Sequence, residues 1–299
     1  MSNHNISIVG LGSMGYGIAQ SMLRAGHRVQ GFDINAATTA RFAAEGGLSA
    51  SQPDAAAHCD VLVVVVLNAE QTQNVLFGAG GWAAQMKKGS TIIACATVAP
   101  EFAKDMESRC ADIGLNYLDA PISGGAAKAA LGNLSVMASG SKAAFDGAAP
   151  ALDAMAEKVF QLGDAAGAGS AMKAVNQLLA GVHIAAMAEA LTFGMTQGVT
   201  PDKFVEVISQ CAGTSWMLEN RAPHIVEGDY SPKSSVDIWP KDLGIVLDIA
   251  KSAKFGAPLT AAALQQFLAA SGSGLGAEDD AAVAKVYARN AGLTLPGDS

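Results

Sequence analysis

The sequence predicts an α/β fold in two parts: a doubly wound parallel sheet first, then an all-α segment. Three observations carry that expectation. Short apolar, β-rich runs at 5–9, 28–32, 61–67, 91–94 and 115–119 alternate with helix-length segments. The first run leads into a Gly-x-Gly-x-x-Gly turn at 10–15. From about residue 170 onward, each periodic run has helical composition. With 299 residues the length fits two domains, placed at 1–165 and 166–299.

Composition narrows the function classes. Half of the residues are hydrophobic and 15% are charged, enough apolar content for well-filled cores. The net charge of -8, with no Lys/Arg cluster, lacks the basic footprint of a nucleic-acid binder. Cys59, Cys95, Cys110 and Cys211 show no Cys-x-x-Cys spacing, which fits reduced thiols and gives no metal site. The polar start at 1–5 is too short for a signal peptide, and the apolar run 178–195 is interrupted by His183 and Glu189, so it reads as a buried helix. A cytoplasmic protein without a membrane partner is expected.

Taken in order, 5–9 is a strand and 16–25 a helix, joined by the glycine turn. Gly10 allows the tight turn, Gly12 lets backbone approach a pyrophosphate, and Gly15 permits helix to pack closely on strand. Together with Leu11, Ser13 and Met14 they form a Rossmann-type cradle at a helix N-terminus, where free N–H groups favour phosphate. The strand at 28–32 ends at Asp33, whose carboxylate suits a ribose 2′-hydroxyl and repels a 2′-phosphate. NAD is therefore expected rather than NADP.

Ligands of such sheets lie beyond the carboxyl ends of strands, which singles out Asn68, Thr97 and the turn Ser123-Gly124-Gly125. Thr97 reads equally as a helix cap beside Pro100. The glycines after Ser123 expose N–H groups able to hold a carboxylate, although a plain turn explains them too. Further strands are expected at 133–139 and 160–163.

A long helix is expected at 170–197, capped by Ser170, with Lys173 and Glu189 its only charged side chains. Lys173, Asn176 and Gln177 fall at i, i+3 and i+4, on one face of an apolar rod. A lone lysine there is ordinarily a surface residue. Helices follow at 201–210 (Thr200 as cap), 215–227, up to 251, 260–271 and 278–289. A Gly/Ser loop at 271–276 and a frayed tail at 291–299 complete the chain. Taken alone, His183, Trp216 and Trp239 read as packed residues, and Lys241-Asp242 as a surface helix-start pair.

Four stretches together resemble the β-hydroxyacid dehydrogenase family: Gly10 to Gly15 with Ala19, the Asp119-Ala-Pro-Ile-Ser-Gly-Gly125 run, the segment 167–177, and Lys241-Asp-Leu-Gly244. The resemblance implies a nicotinamide-binding domain followed by a helical domain, with the substrate site at their interface. It also implies Lys173 as catalytic acid/base, Ser123, Gly124, Gly125 and Asn176 around the substrate, and Thr97 and Lys241 at the cofactor. Cys95-Ala96 and Ala281 depart from it, standing where relatives often carry serines.

The residue types suit that chemistry. Oxidising a secondary alcohol requires a base within about 2.6 to 3.2 Å of the hydroxyl. A lysine on an apolar helix can serve, because burial disfavours its charged form. Asn176 would orient the hydroxyl, and the amides at 123–125 would anchor the carboxylate. The expected substrate is a small 2-hydroxy acid such as L-threonate, oxidised at C2. Alternatives are 3-hydroxyisobutyrate or, in reverse, tartronate semialdehyde or glyoxylate; the farther one is a dinucleotide-binding sensor without catalysis. An apolar helix lacking a polar face is expected to be shared between subunits of a homodimer or homotetramer.

Overall fold

The computed structural model describes residues 3–298, so the polar start expected at 1–5 and the last tail residue lie partly outside it. Its contacts group the chain into two compact units, Met1–Lys173 and Ala174–Ser299.

The first unit runs β1 (Asn5–Val9), α1 (Gly15–Arg24), β2 (Arg28–Phe32), α2 (Ala36–Ala44), α3 (Gln52–His58), β3 (Val61–Val64), α4 (Ala69–Phe77), β4 (Thr91–Ala94), α5 (Pro100–Asp112) and β5 (Asn116–Asp119). Its five strands form a wholly parallel sheet in the order β2-β1-β3-β4-β5, with Ile6 opposite Val61 and Val61 opposite Thr91. The order reverses direction at β1 and β3, the switch point at which such sheets bind ligands. Alternate residues serve opposite faces. Val61, Val63 and Ile93 join Ile8, Ile18 and Met22 in one core, while Leu62, Val64 and Ile92 join Leu76, Met106 and Cys110 in the other. Each such side chain contributes about 1.5–3 kcal/mol by leaving water.

The chain continues through β6 (Ile122–Ser123), α6 (Gly125–Leu131), β7 (Leu134–Ala138), α7 (Lys142–Met155) and β8 (Ala156–Gln161). These strands make a second sheet, β6-β7-β8, with β6 antiparallel to β7. From the sequence, strands are expected at 133–139 and 160–163 with no sheet assigned to them, and β6 is not expected. β8 also begins four residues before the expected strand at 160. Its solvent-facing Glu157 and Lys158 hide the strand pattern, because an edge strand need not alternate. β3 is shorter than 61–67: past Val64 the backbone turns under Gly10, where an added Cβ would stand 2.1 Å from the Val65 oxygen.

α8 (Ala168–Thr196) is the long helix; it starts two residues before Ser170. Ser170 is therefore inside the first turn and is not its cap. The helix is long and apolar enough to cross a membrane by length and composition, and only 39% of its most apolar window is buried. The helix expected to be buried is thus only partly covered within the single chain.

The remainder runs α9 (Pro201–Ile208), α10 (Trp216–Glu227), α11 (Ile238–Ser252), α12 (Pro258–Ala270) and α13 (Ala284–Asn290). Ser215 caps α10 through the Leu218 N–H, whereas no side-chain cap bond to the α9 backbone comes from Thr200. α11 starts at Ile238, so Lys241 and Asp242 lie inside a helix, and Asp242 is buried. The expected Gly/Ser loop is a π-type turn at Ser271–Leu275, with Gly274 at φ 85°. The tail is not frayed: Leu295 is buried, Gly297 presses on Gly228, and Asp298 pairs with Lys285 at 3.0 Å.

Candidate active site

The glycine turn is built for close approaches. Gly10 adopts φ 95°, and a Cβ on Gly15 would stand 1.8 Å from the Gly10 oxygen. These two glycines are demanded by the fold itself. Gly12 differs, since a Cβ there meets nothing within 4 Å. Its missing side chain leaves room outside the chain, beside the orphan N–H groups that open α1. Asp33 is fixed against this turn: one oxygen accepts the Leu11 N–H at 2.7 Å and the other the Asn35 N–H at 2.8 Å. A cavity of about 580 Å³ opens from Gly10, Gly12 and Asp33 toward Val65, Leu67 and Asn74. Its volume, the side-chain-free Gly12 on its wall and the carboxylate of Asp33 fit the adenosine half of a dinucleotide.

Leu11 is buried behind the turn, Ser13 is exposed, and Met14 packs on the core as the first residue outside α1. Asn68 caps α4 by accepting the Gln71 N–H at 2.9 Å. Thr97 is half-buried after β4 and does not cap α5, whose N-cap is Ala99. The cavity also draws in Ile34, fully solvent-exposed, together with Gln52, Gln71 and Trp82. Sequence reasoning missed these. An isoleucine with no core to fill, directly after Asp33, was the available signal.

Lys173 lies near the start of α8. It is only 8% exposed, and its Nζ donates to the Ile122 carbonyl at 2.9 Å, one residue before Ser123. Ser123 ends β6, and Gly124 and Gly125 then take φ 137° and 76° to enter α6. Ammonium and glycine turn are thus neighbours within the first unit. Asp119, at the end of β5, is 1% exposed and bonds to the start of α8, a role absent from the sequence reading. Burial pushes its carboxyl above the ordinary carboxylate range, against the opposing hydrogen bonds from Ser170. Burial also raises the Cys95 thiol, to about 12, so it stays protonated at the sheet's end.

In the second unit the Asn176 amide donates to Gln177 Oε1 at 2.9 Å. Gln177 Nε2 in turn donates to Asp242 Oδ2 at 2.5 Å, and Lys241 Nζ lies 2.5 Å from Asp242 Oδ1. Asn176 and Lys241, expected at substrate and cofactor respectively, are thereby joined through two buried side chains. Gly181 makes this possible by close packing, because a Cβ there would stand 2.8 Å from Leu243 and 3.0 Å from Trp239. Trp239 is a core residue, stacked on Phe267 at 5.4 Å, while Trp216 is 59% exposed. His183 is half-buried on α8.

Comparison with known proteins agrees with this geometry. The profile of the NAD binding domain of 6-phosphogluconate dehydrogenase matches residues 5–163. That of the NAD-binding region of NADP-dependent 3-hydroxyisobutyrate dehydrogenase matches 167–287. The chain is 52% identical to the L-threonate dehydrogenase of Cupriavidus necator over 296 residues, 99% of both chains. It is 47% identical to the L-threonate dehydrogenase of Escherichia coli O6:H1, over 99% of this chain and 98% of that one. The crystal structure of a 3-hydroxyisobutyrate dehydrogenase from Salmonella typhimurium superimposes with a TM-score of 0.90 at 48% identity, covering 95% of this chain and all of the other. A glycine turn at the switch point of a parallel sheet, with both family profiles and relatives matched from end to end, places this chain in the β-hydroxyacid dehydrogenase family, as a hydroxyacid dehydrogenase that works with a nicotinamide dinucleotide.

Proposed function

We propose that the protein oxidises the C2 hydroxyl of L-threonate to the 2-oxo acid, 2-dehydro-L-erythronate, with NAD as acceptor and Lys173 as general acid/base. The observation that carries this reading is the buried Lys173 Nζ, held 2.9 Å from the Ile122 carbonyl at the mouth of the Ser123–Gly125 turn. The L-threonate dehydrogenases, 45% or more identical over nearly the whole chain, supply the substrate. The bound dinucleotide supplies the hydride acceptor. Lys173 takes the hydroxyl proton as the alcohol is oxidised and returns it in the reverse direction. Asn176 orients the hydroxyl, and the N–H groups of Ser123, Gly124 and Gly125 anchor the carboxylate. The turn Gly10 to Gly15, Asp33, Asn68, Thr97 and Lys241 hold the cofactor. Asp33 favours NAD, since its carboxylate repels a 2′-phosphate.

In this reading residues 1–165 bind cofactor, and 166–299 select the substrate and mediate self-association. Met172, Val175 and Leu179, at i, i+3 and i+7 on α8, are 45%, 54% and 49% exposed. A second copy covers that stripe in a homodimer or homotetramer, in the cytoplasm.

A second reading follows from the Salmonella structure's name: 3-hydroxyisobutyrate as the substrate. One experiment separates them: NADH absorbance is followed with L-threonate, other four-carbon aldonates, 3-hydroxyisobutyrate and, in reverse, glyoxylate and tartronate semialdehyde. Fastest turnover is expected with L-threonate; no turnover of any four-carbon aldonate overturns the substrate assignment.

A further inference from the structure

Asp119 is a carboxylate that the chemistry does not require, yet the chain has buried it completely. Its Oδ2 accepts the N–H groups of Gly167 and Ser170, both at 2.9 Å, and the Ser139 hydroxyl at 3.2 Å. Its Oδ1 accepts the Ser170 hydroxyl at 2.6 Å. Ser139 then accepts the Gly169 N–H at 2.9 Å. Donors at the opening of α8 that no helix can satisfy internally are thus taken up by β5 and by the residue that follows β7. A negative group also suits that end of the helix dipole. Gly169 permits the approach, because a Cβ there would stand 2.4 Å from the Met137 oxygen and 2.8 Å from the Asp119 oxygen.

The contacts close a ring. Ser170 is one turn before Lys173, and Ile122, which accepts the lysine's hydrogen bond, is three residues after Asp119. The short stretch from the end of β5 to the start of β6 therefore carries both the group that fixes the helix bearing the lysine and the carbonyl that accepts the lysine's hydrogen bond. We propose that Asp119, through Ser170, is a positioning residue that sets the register of α8 and so holds Lys173 Nζ on the Ile122 carbonyl. The proposal rests on the reading of Lys173 as acid/base.

The test uses the full-length chain with L-threonate and NAD, comparing D119N, S170A, the double variant and K173A. D119N is expected to lower kcat by about 10²-fold, the scale of an ångström-sized misplacement of a catalytic group. NAD affinity, followed by protein fluorescence, should be unchanged. The primary deuterium isotope effect with C2-deuterated L-threonate should rise, since chemistry becomes rate-limiting. The double variant should be no worse than D119N, because both changes act through one contact. Acetylation of Lys173 by an N-hydroxysuccinimide ester, read by peptide mass spectrometry, should be faster in D119N and S170A than in the parent. Unchanged kcat and unchanged labelling in both single variants overturn the positioning role. Should D119N fail to fold, S170A, which keeps the carboxylate and its N–H bonds, decides alone. Full activity of K173A overturns the acid/base reading instead, and the labelling rates still judge the ring of contacts.

Discussion

A glycine can be required by the fold or by the ligand, and the turn after β1 contains both kinds. Gly10, with φ 95° and the Val65 oxygen 2.1 Å from where a Cβ would be, is a fold glycine. G10A should destabilise the protein by at least about 1–3 kcal/mol, seen as a lower midpoint in denaturant. G12A, with open space around its Cβ, should leave that midpoint within about 0.5 kcal/mol of the parent and weaken dinucleotide binding instead. Equal destabilisation by the two would contradict the assignment. Lys173 offers a second contrast. K173A should lower kcat by roughly 10²-fold or more while NAD still binds, and unchanged kcat would remove its role. Asp33 offers a third: D33N removes the charge that opposes a 2′-phosphate, so the ratio of kcat/KM for NADP over NAD should rise by about tenfold.

At the scale of elements, the middle of the sheet was legible because β3 and β4 are packed on both faces, which writes them as near-continuous apolar runs. β1 and β2 match their expected spans residue for residue. The start of β8 was not legible, since its exposed edge has no periodic apolar residue to mark it. The cap of α8 was misread for a different reason. Ser170 looked like a local cap, but the capping group is Asp119, 51 positions away along the chain, and such a partner leaves no local signature. Spacing placed Lys173, Asn176 and Gln177 on one helix face and the family resemblance gave the first two their expected roles, whereas the bond from Gln177 to Asp242, 65 positions away, has no signature in either. The same close packing makes G169A informative. Its Cβ would collide with backbone oxygens of Met137 and Asp119, so the change should shift the first turn of α8 and cost about 1–3 kcal/mol in stability together with kcat.

For the whole molecule, acid stability should carry the mark of one buried pair. Burial raises the Asp280 carboxyl to about 6, against the opposing Arg221 guanidinium 2.5 Å away, while Trp239 donates to its other oxygen at 3.0 Å. Between about pH 4 and 6 the folded chain keeps a proton that the unfolded chain releases, so this site's contribution is greatest at low pH and is lost as pH rises through about 6. The melting-temperature advantage of the parent over D280N should therefore narrow on going from about pH 4.5 to 7.5, and a constant difference would contradict the shift. Truncation after Gly276 would remove Asp280 to Ala284, all fully buried, and should abolish the fold of the second unit rather than report on the tail. V175E with L179E on α8 should give a smaller species in light scattering after size exclusion if a second copy covers this exposed apolar stripe, and an unchanged size would contradict the proposed self-association.

The line between the two units crosses α8 directly after Lys173, and its consequence is evolutionary. Every anchor of the lysine described above, Asp119, Ser139 and Ile122, belongs to the first unit, while Asn176 draws its partners Gln177, Asp242 and, through it, Lys241 from the second. On the roles proposed above, substitutions downstream of Lys173 can alter the surroundings of Asn176 while leaving the contacts that anchor the lysine in place.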